Sequence, residues 1–253
     1  MLKAMSALLL LFSLVLSVAF PVAAAPMVLF DEGHGQRFVP GGDGPLDLST
    51  LGQTFRSRDI VVLSHAGPLT DASLKGVSAL IISGAFAPLS ADEIAAVTRF
   101  VEAGGALAAM LHIGMPLGNL LHAFGVDFSN GVIREQDDTI EGEPLNFHVS
   151  RLLDHPLFDG LDRFALYGGW ALVNFDERSR PIATTGPKAW VDLNGDGTFS
   201  SGDVMQSYGV VVAGKTGAGR FVVFGDDAIF QNRFLGDNNR ILATNLARWL
   251  IAE

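Results

Sequence analysis

The chain has 253 residues, a formal net charge of −10 at pH 7 and no cysteine. The missing thiols exclude disulfides, a cysteine nucleophile and thiolate metal ligands. The acidic balance, with no run of Lys and Arg along the sequence, repels phosphate backbones and anionic lipid, so nucleic acid is not an expected partner.

The first residues read as an export signal over 1–25. Lys3 supplies a positive start, residues 7–19 an apolar core, and Val22-Ala23-Ala24-Ala25 small residues for cleavage. A cut after Ala24 is preferred, because Pro26 disfavours cleavage directly before it. The alternative is an uncleaved anchor, since residues 4–25 just reach across a bilayer. The expectation is a periplasmic or secreted protein with no membrane insertion once the signal is cleaved.

From Met27 to about residue 125, short apolar runs alternate with amphipathic stretches, the pattern of a parallel sheet with crossover helices. Strands are predicted over 27–30, 60–63, 79–82 and 106–111. The first ends in the polar turn Asp31-Glu32-Gly33-His34-Gly35, and the fourth is followed by His112 and a short helix over 117–124. Leu48, Leu51 and Phe55 share a helical face. Ser90 and Glu93 form a capping box before the stripe Ile94, Val97 and Val101, which Gly104-Gly105 stops.

Beyond Gly125 the texture turns to short strands and acidic turns, a β-rich elaboration over about 129–204. Residues 208–213 and 220–224 are expected to pair as a hairpin across 215–219. A last helix over 238–251 should face inward with Ile241, Leu242, Leu246, Trp249 and Leu250. The predicted fold class is α/β, a flavodoxin-like parallel sheet with flanking helices and a β-rich C-terminal elaboration, in one domain over 26–253.

Within the elaboration, residues 192–203 read D-L-N-G-D-G-T-F-S-S-G-D, the spacing of a twelve-residue calcium loop. Side-chain oxygens of Asp192, Asn194, Asp196 and Asp203 and the carbonyl of Thr198 take the ligand positions, and Gly197 permits the sharp turn. No Lys or Arg between Lys188 and Lys215 neutralises the crowded carboxylates. The plainer reading is a solvated hairpin tip, because Asn194-Gly195 and Asp196-Gly197 are also turn dipeptides. Asp rather than Glu at position twelve makes bidentate capture less assured, and the strand-like flanks favour a structural calcium site over a switch.

The run Ala79-Leu80-Ile81-Ile82-Ser83-Gly84-Ala85, then a helix, Gly104-Gly105, a strand and His112-Ile113-Gly114, resembles the core of class I glutamine amidotransferase-like domains. There is no thiol at the elbow, and Val222-Val223-Phe224-Gly225-Asp226-Asp227 lacks the family's histidine base, so glutaminase chemistry is ruled out. Together with Asp154-His155-Pro156 and Asp237-Asn238, the pattern is similar to a non-catalytic branch. That branch includes gliding-motility and intraflagellar-transport domains and exported bacterial proteins, with trehalose-utilisation-like proteins further off. The resemblance implies binding of a carbohydrate or other ligand.

In an open parallel sheet, ligands bind beyond the carboxyl ends of the strands. Loops there should gather Asp31, Glu32, His34, Ser83, Gly84, His112, Asp226 and Asp227. For His34 a loop-capping role weighs against a binding role in an exposed turn. For His112 the alternative is a satisfied strand-end histidine, and Asp226 and Asp227 are as well suited to capping the next segment or binding Asn232 and Arg233. The leading expectation is a non-catalytic exported domain that binds a small polar ligand, a carbohydrate among the possibilities, or an envelope protein partner. The rivals are an envelope hydrolase using His and carboxylate residues of the crevice, and a purely structural module of an envelope complex.

Overall fold

The computed structural model describes residues 24–252; the side chain of Asp237 and most of the expected signal segment lie outside that description. Five parallel strands form the centre. In chain order they are β1 (Met27–Asp31), β2 (Val61–His65), β3 (Ala79–Ser83), β4 (Ala106–Met110) and, far along the chain, β15 (Gly219–Phe224), arranged β2-β1-β3-β4-β15. This is the flavodoxin-like order, in which the winding reverses between β1 and β3.

Two helices cover each face. Helix α1 (Ser49–Arg56) and the final helix α4 (Asp237–Ile251) pack on one side, with Phe55, Leu242 and Leu246 in a core shared with Phe30 and Ile81. Helices α2 (Ala91–Glu102) and α3 (Gly118–Ala123) lie on the other, where Val97, Val101 and Leu120 meet Leu29, Leu80 and Ile82. Alternate residues of β1, β3, β4 and β15 feed the two cores, as strands buried on both faces require, whereas the edge strand β2 leaves Val61 and Leu63 exposed. Each fully buried Leu or Phe contributes roughly 1.5–3 kcal/mol. The expected capping box is present: Ser90 Oγ accepts from the Glu93 N–H and Glu93 accepts from the Ser90 N–H.

The sheet continues beyond the parallel core in antiparallel fashion. The strands are β5 (Val126–Arg134), β6 (Thr139–Ile140), β7 (Glu143–Val149), β8 (Arg151–Leu152), β9 (Phe164–Tyr167), β10 (Trp170–Asn174), β11 (Ser179–Thr184), β12 (Trp190–Val191), β13 (Val204–Met205) and β14 (Gly209–Thr216). Strand β14 pairs with β15, then β10, β5, β12 and β13 extend the sheet, while β11 and β8 branch from β14. Strands β6, β7 and β9 make a separate three-stranded sheet.

Three local expectations are corrected. The hairpin turn is two residues, not five: Lys215 and Thr216 remain in β14, and Gly217 takes φ +60° where a II′ turn demands a positive value. Ile241 is 38% exposed, and the inward stripe of α4 runs instead through Leu242, Ala243, Leu246, Ala247 and Leu250. The helix predicted over 117–124 starts as a 3-10 turn at Met115–Leu117, with Pro116 in its first turn, before α3 begins. No described helix is long and apolar enough to cross a membrane.

Candidate functional site

The carboxyl ends of the parallel strands carry two histidine–carboxylate groups, and both histidines touch Phe86, His34 at its backbone N–H and His112 at its ring. At the winding reversal, Asp31 closes β1 and the following loop folds back so that His34 Nδ1 lies 2.8 Å from Asp31 Oδ2 and Nε2 lies 3.0 Å from Glu93 Oε1. Gln36 Nε2 donates to the same Asp31 oxygen, and the Gly33 N–H to the other. Two carboxylates on opposite ring nitrogens require both nitrogens to carry hydrogen, so this imidazole is a cation. The hydrogen bond to Asp31 raises its pKa against the opposing effect of burial, and the charges of Asp31 and Glu93 add to the rise. Partial burial pushes Glu93 upward, yet hydrogen bonds from Ser90 and Leu69 and the charge of His34 hold it down at about 2.

This is a correction to the exposed turn expected for His34. The residue is only 5% exposed, and both its nitrogens are committed. It ties the β1 loop to the start of α2, and the Phe86 and Ala87 N–H groups donate to its carbonyl. Glu32 connects to β2 through its backbone, donating to the His65 carbonyl at 2.8 Å.

The second group sits where β4 and β15 end side by side. His112 Nδ1 is 3.0 Å from Asp227 Oδ1, and the His112 side chain keeps 36% exposure while Asp227 is almost fully buried. The hydrogen bond to Asp227 raises the His112 pKa, against burial, and the charges of Asp227 and Asp226 support the rise while Arg37 opposes it. Phe38 and Phe86 flank the ring at centroid distances of 5.3 and 5.2 Å, and the Arg37 guanidinium lies 4.7 Å over Phe86. Trp170 Nε1 donates to the His112 carbonyl from β10, so the antiparallel extension fixes the elbow from behind.

Gly84 shows how close the packing is. It has φ +60°, and a Cβ there would lie 2.5 Å from Asp227 Oδ2 and 3.6 Å from the His112 Cβ. Ser83, just before it, is buried with its hydroxyl unpartnered, as is Asp227 Oδ2.

Asp226 and Asp227 do not bind Asn232 or Arg233. Asn232 instead holds the loop before α1 through Gly44 and the first turn of α1 through Ser49 and Thr50. Asp226 accepts from the Ala228 N–H and, from the separate three-stranded sheet, from the Tyr167 N–H of β9. Burial and the neighbouring Asp227 push Asp226 up to about 8. Burial also raises Asp227, with His112 pulling the other way. Two adjacent buried carboxyl groups therefore share their environment with one imidazole, and that imidazole leaves Nε2 with no hydrogen-bond partner among the described residues.

The expected crevice thus divides. Ser83, Gly84, His112 and Asp227 are brought together, Asp226 braces them from the backbone side, and Asp31 and His34 form a closed cluster of their own. Sequence reasoning missed Phe38, Phe86 and Arg37 as the surround of His112. It found Glu93 only as a cap.

The loop at 192–203 lies between β12 and β13, which pair antiparallel through Trp190–Met205 and Val191–Val204. The strand following the loop is therefore β13 rather than the longer β14. One oxygen each from Asp192, Asp196 and Asp203 lies within 4.8 Å of the others. Asp192 accepts from the Gly195 and Gly197 N–H groups, and Asp203 from the Leu193 and Ser200 N–H groups. Asn194 Oδ1 accepts from the Asp196 N–H, and the Thr198 N–H donates to Asp196. Hydrogen bonds from Thr198 and Ser200 hold Asp196 at about 2, so it is ionised. The donor set, oxygen only and carboxylate-rich, suits a hard cation. A positive charge absent from the local sequence does arrive through the fold: Arg134 of β5 has Nε 3.8 Å from Asp192 Oδ2.

A family model described as "Domain of unknown function (DUF4350)" matches residues 42–247. The chain belongs to the DUF4350 family. No curated protein matches it in sequence. Among solved structures it is similar to the mmIFT52 N-terminal domain, at 18% identity and a TM-score of 0.72, with 89% of this chain and 98% of that chain covered. A cytoplasmic protein from Salmonella typhimurium LT2 aligns at 14% identity and TM-score 0.59, over 88% of this chain and 99% of the other. A ThuA-like protein from Bacteroides uniformis aligns at 13% and 0.57, over 93% and 96%.

At these identities the likeness is one of fold. The glutamine amidotransferase-like assignment is corrected by the DUF4350 match. The motifs that prompted it, a strand-end Ser-Gly and a strand followed by an elbow, are what any open parallel sheet needs where its loops turn tightly. They therefore report the sheet rather than the family.

Proposed function

We propose that this DUF4350 protein is exported and binds a small polar ligand, with a carbohydrate as the preferred class, at the strand-end site centred on His112. The observation that carries the reading is the state of that imidazole. Asp227 pins Nδ1, Nε2 has no partner among the described residues in a half-exposed ring, and the Phe38 and Phe86 rings pack against it. Small-molecule sites characteristically combine apolar walls with a few fixed polar groups. A sugar presents apolar C–H faces to the two phenyl rings and hydroxyl groups to Nε2. Its release from water is offset by those contacts.

Thermal-shift screening of sugars and small polar metabolites, followed by calorimetry on any hit, tests the reading. Binding should weaken at least roughly tenfold in His112→Ala, the loss expected when a buried polar partner in a site is left unmatched. Unchanged affinity in that variant removes the crevice as the binding site. If no small molecule binds and an envelope protein partner is found instead, the module reading replaces the ligand reading.

The same geometry favours one second reading, an envelope hydrolase. A buried carboxylate on Nδ1 fixes the imidazole tautomer so that Nε2 can take a proton from water or a hydroxyl group, the arrangement of a general base. Turnover of a hit that disappears with His112→Ala would promote hydrolysis over binding.

The loop of residues 192–203 is proposed as a structural calcium site on the strength of its oxygen donors. A cation that binds only the folded loop stabilises by mass action, about 2.7 kcal/mol at a hundredfold excess over Kd. Calcium should therefore raise the melting temperature, chelation should lower it, and Asp192→Ala with Asp196→Ala should abolish the response. A melting temperature indifferent to millimolar calcium would leave the loop as a turn. N-terminal sequencing of the exported chain tests export: a chain starting near Ala25 supports it, and one starting at Met1 and sedimenting with membranes establishes the anchor.

A further inference from the structure

A cavity of about 680 Å³ opens between the start of β11, the β14–β15 hairpin and the end of α4. It lies at the end of the sheet remote from His112. Arg220, on its wall, pairs with Ala106 at the start of β4, whereas His112 and Asp227 follow the far ends of β4 and β15.

Strand register explains what the cavity presents. Arg180 opposes Ala213 across β11 and β14, and Lys215 opposes Arg220 across β14 and β15. Opposed residues of an antiparallel pair share a face, as do residues two apart on one strand. Arg180, Lys215 and Arg220 therefore project from one face, and all three line the cavity of a chain whose net charge is −10.

The three cations are uncompensated among the described residues. The ion pairs made by arginine and lysine involve Arg99, Arg134, Arg163, Arg178 and Lys188 instead. Arg178 also borders the cavity but is taken by Asp176 and by the Ala123 carbonyl. Glu177 is the only carboxylate among the described lining residues.

Arg220 is the most constrained of the three. Its Nη2 donates to the carbonyls of Leu250 and Ala252 at the end of α4, and its Nε is buried without a partner. Burial lowers its pKa, as for a cation partly withdrawn from water that makes no ion pair among the described residues. Trp249 lies beneath it, 5.5 Å from the guanidinium, with the His155 ring 5.6 Å from the indole. His155 Nδ1 accepts from the Leu157 N–H, so a neutral ring carries its hydrogen on Nε2. Burial, then Arg180, lowers the His155 pKa, which keeps it a neutral donor.

We propose that this groove binds a small oxyanion, the phosphate or carboxylate group of a metabolite-sized ligand, through Arg180, Lys215 and Arg220. Like charges confined to one concave wall repel, and an oxyanion converts that repulsion into charge-assisted hydrogen bonds. The cavity volume is within the range of metabolite sites. The site shares no residue with the His112 site and does not depend on it.

Calorimetric titration of the purified protein with pyrophosphate and with citrate, at ionic strength held constant with sodium chloride, tests the proposal. Saturable binding of either probe is expected. Preference for pyrophosphate identifies phosphate as the ligand chemistry, and preference for citrate identifies carboxylate. The double variant Arg180→Gln with Lys215→Gln should weaken binding roughly tenfold or more, since it removes two of the charges that grip the anion. Both side chains are exposed, so its melting temperature should stay that of the wild type. Lys215→Gln alone should show a smaller loss in the same direction, and His112→Ala should show none. Absence of saturable binding at millimolar probe, or binding unchanged in the double variant, would overturn the proposal.

Discussion

His34 and His112 leave the same end of the sheet and both meet one residue, Phe86. The Phe86 N–H donates to the His34 carbonyl, while the Phe86 ring lies against His112. Both histidines pair with an aspartate, yet they are opposite in kind. His34 is enclosed, with carboxylates on both nitrogens; His112 has one nitrogen fixed and one open to a half-exposed surface. An imidazole with both hydrogens spent is a fastener. One with a fixed tautomer and a free nitrogen is equipped to meet something that is not yet there.

The largest effect that separates the two should come from His34→Ala. Removing one member of a buried charge cluster strands the others and costs about 3–5 kcal/mol, readable as a drop in the urea midpoint. The cluster also carries a pH signature. His34 has a raised folded pKa, so its contribution is fully present below about 6.5 and is lost as pH rises through the raised value. Glu93 is depressed to about 2 from 4.5, so its contribution is present above about 4.5 and is lost on acidification towards 2. The stability gap between wild type and His34→Ala should be widest between those limits and narrow on both sides. A gap independent of pH would mean that the cluster is not ionic.

Next in size is Gly84→Ala. A methyl group in a positive-φ position, directed at Asp227 Oδ2, should cost roughly 2 kcal/mol. Because Asp227 orients His112, the change should also move the His112 titration followed by NMR while leaving that of His34 in place. Movement of both, or of neither, would break the separation between the two groups.

The smallest stability effect should belong to His112→Ala, about 1 kcal/mol or less, the scale of one hydrogen bond. Asp227 is already raised by burial and can take up a proton when its partner is removed. A loss as large as that of His34→Ala would make His112 a second fastener and undercut its role as a binding group.

Much of this was readable along the chain where the cause is local. The capping box of Ser90 and Glu93, the continuous apolar strands 79–82 and 106–111 and the hairpin before Phe224 follow from patterns within about twenty residues. That Gly84, His112 and Asp227 would meet beyond the strand ends followed from the alternation of strands and helices. What could not be read is what arrives from a distance. Glu93 reaches His34 across 59 positions, and Asp227 reaches His112 across 115. Arg134 comes to the 192–203 loop from another strand, and Arg180, Lys215 and Arg220 form no cluster in sequence because β-pairing alone assembles them. Ile241 misled for a related reason. A helical stripe fixes a period, but only the neighbours of α4 decide which edge of the stripe faces them.

The seam between β4 and β15 has a consequence for how the molecule comes together. More than a hundred residues, including the whole antiparallel extension, must be laid down before β15 can take its place beside β4, and such distant contacts form slowly because the loop entropy is spent first. The His112–Asp227 pair exists only once that seam has shut. The pair itself adds little to the closure, but a ligand bound across it would favour the state in which β4 and β15 lie side by side, and so would reach the chain's longest detour.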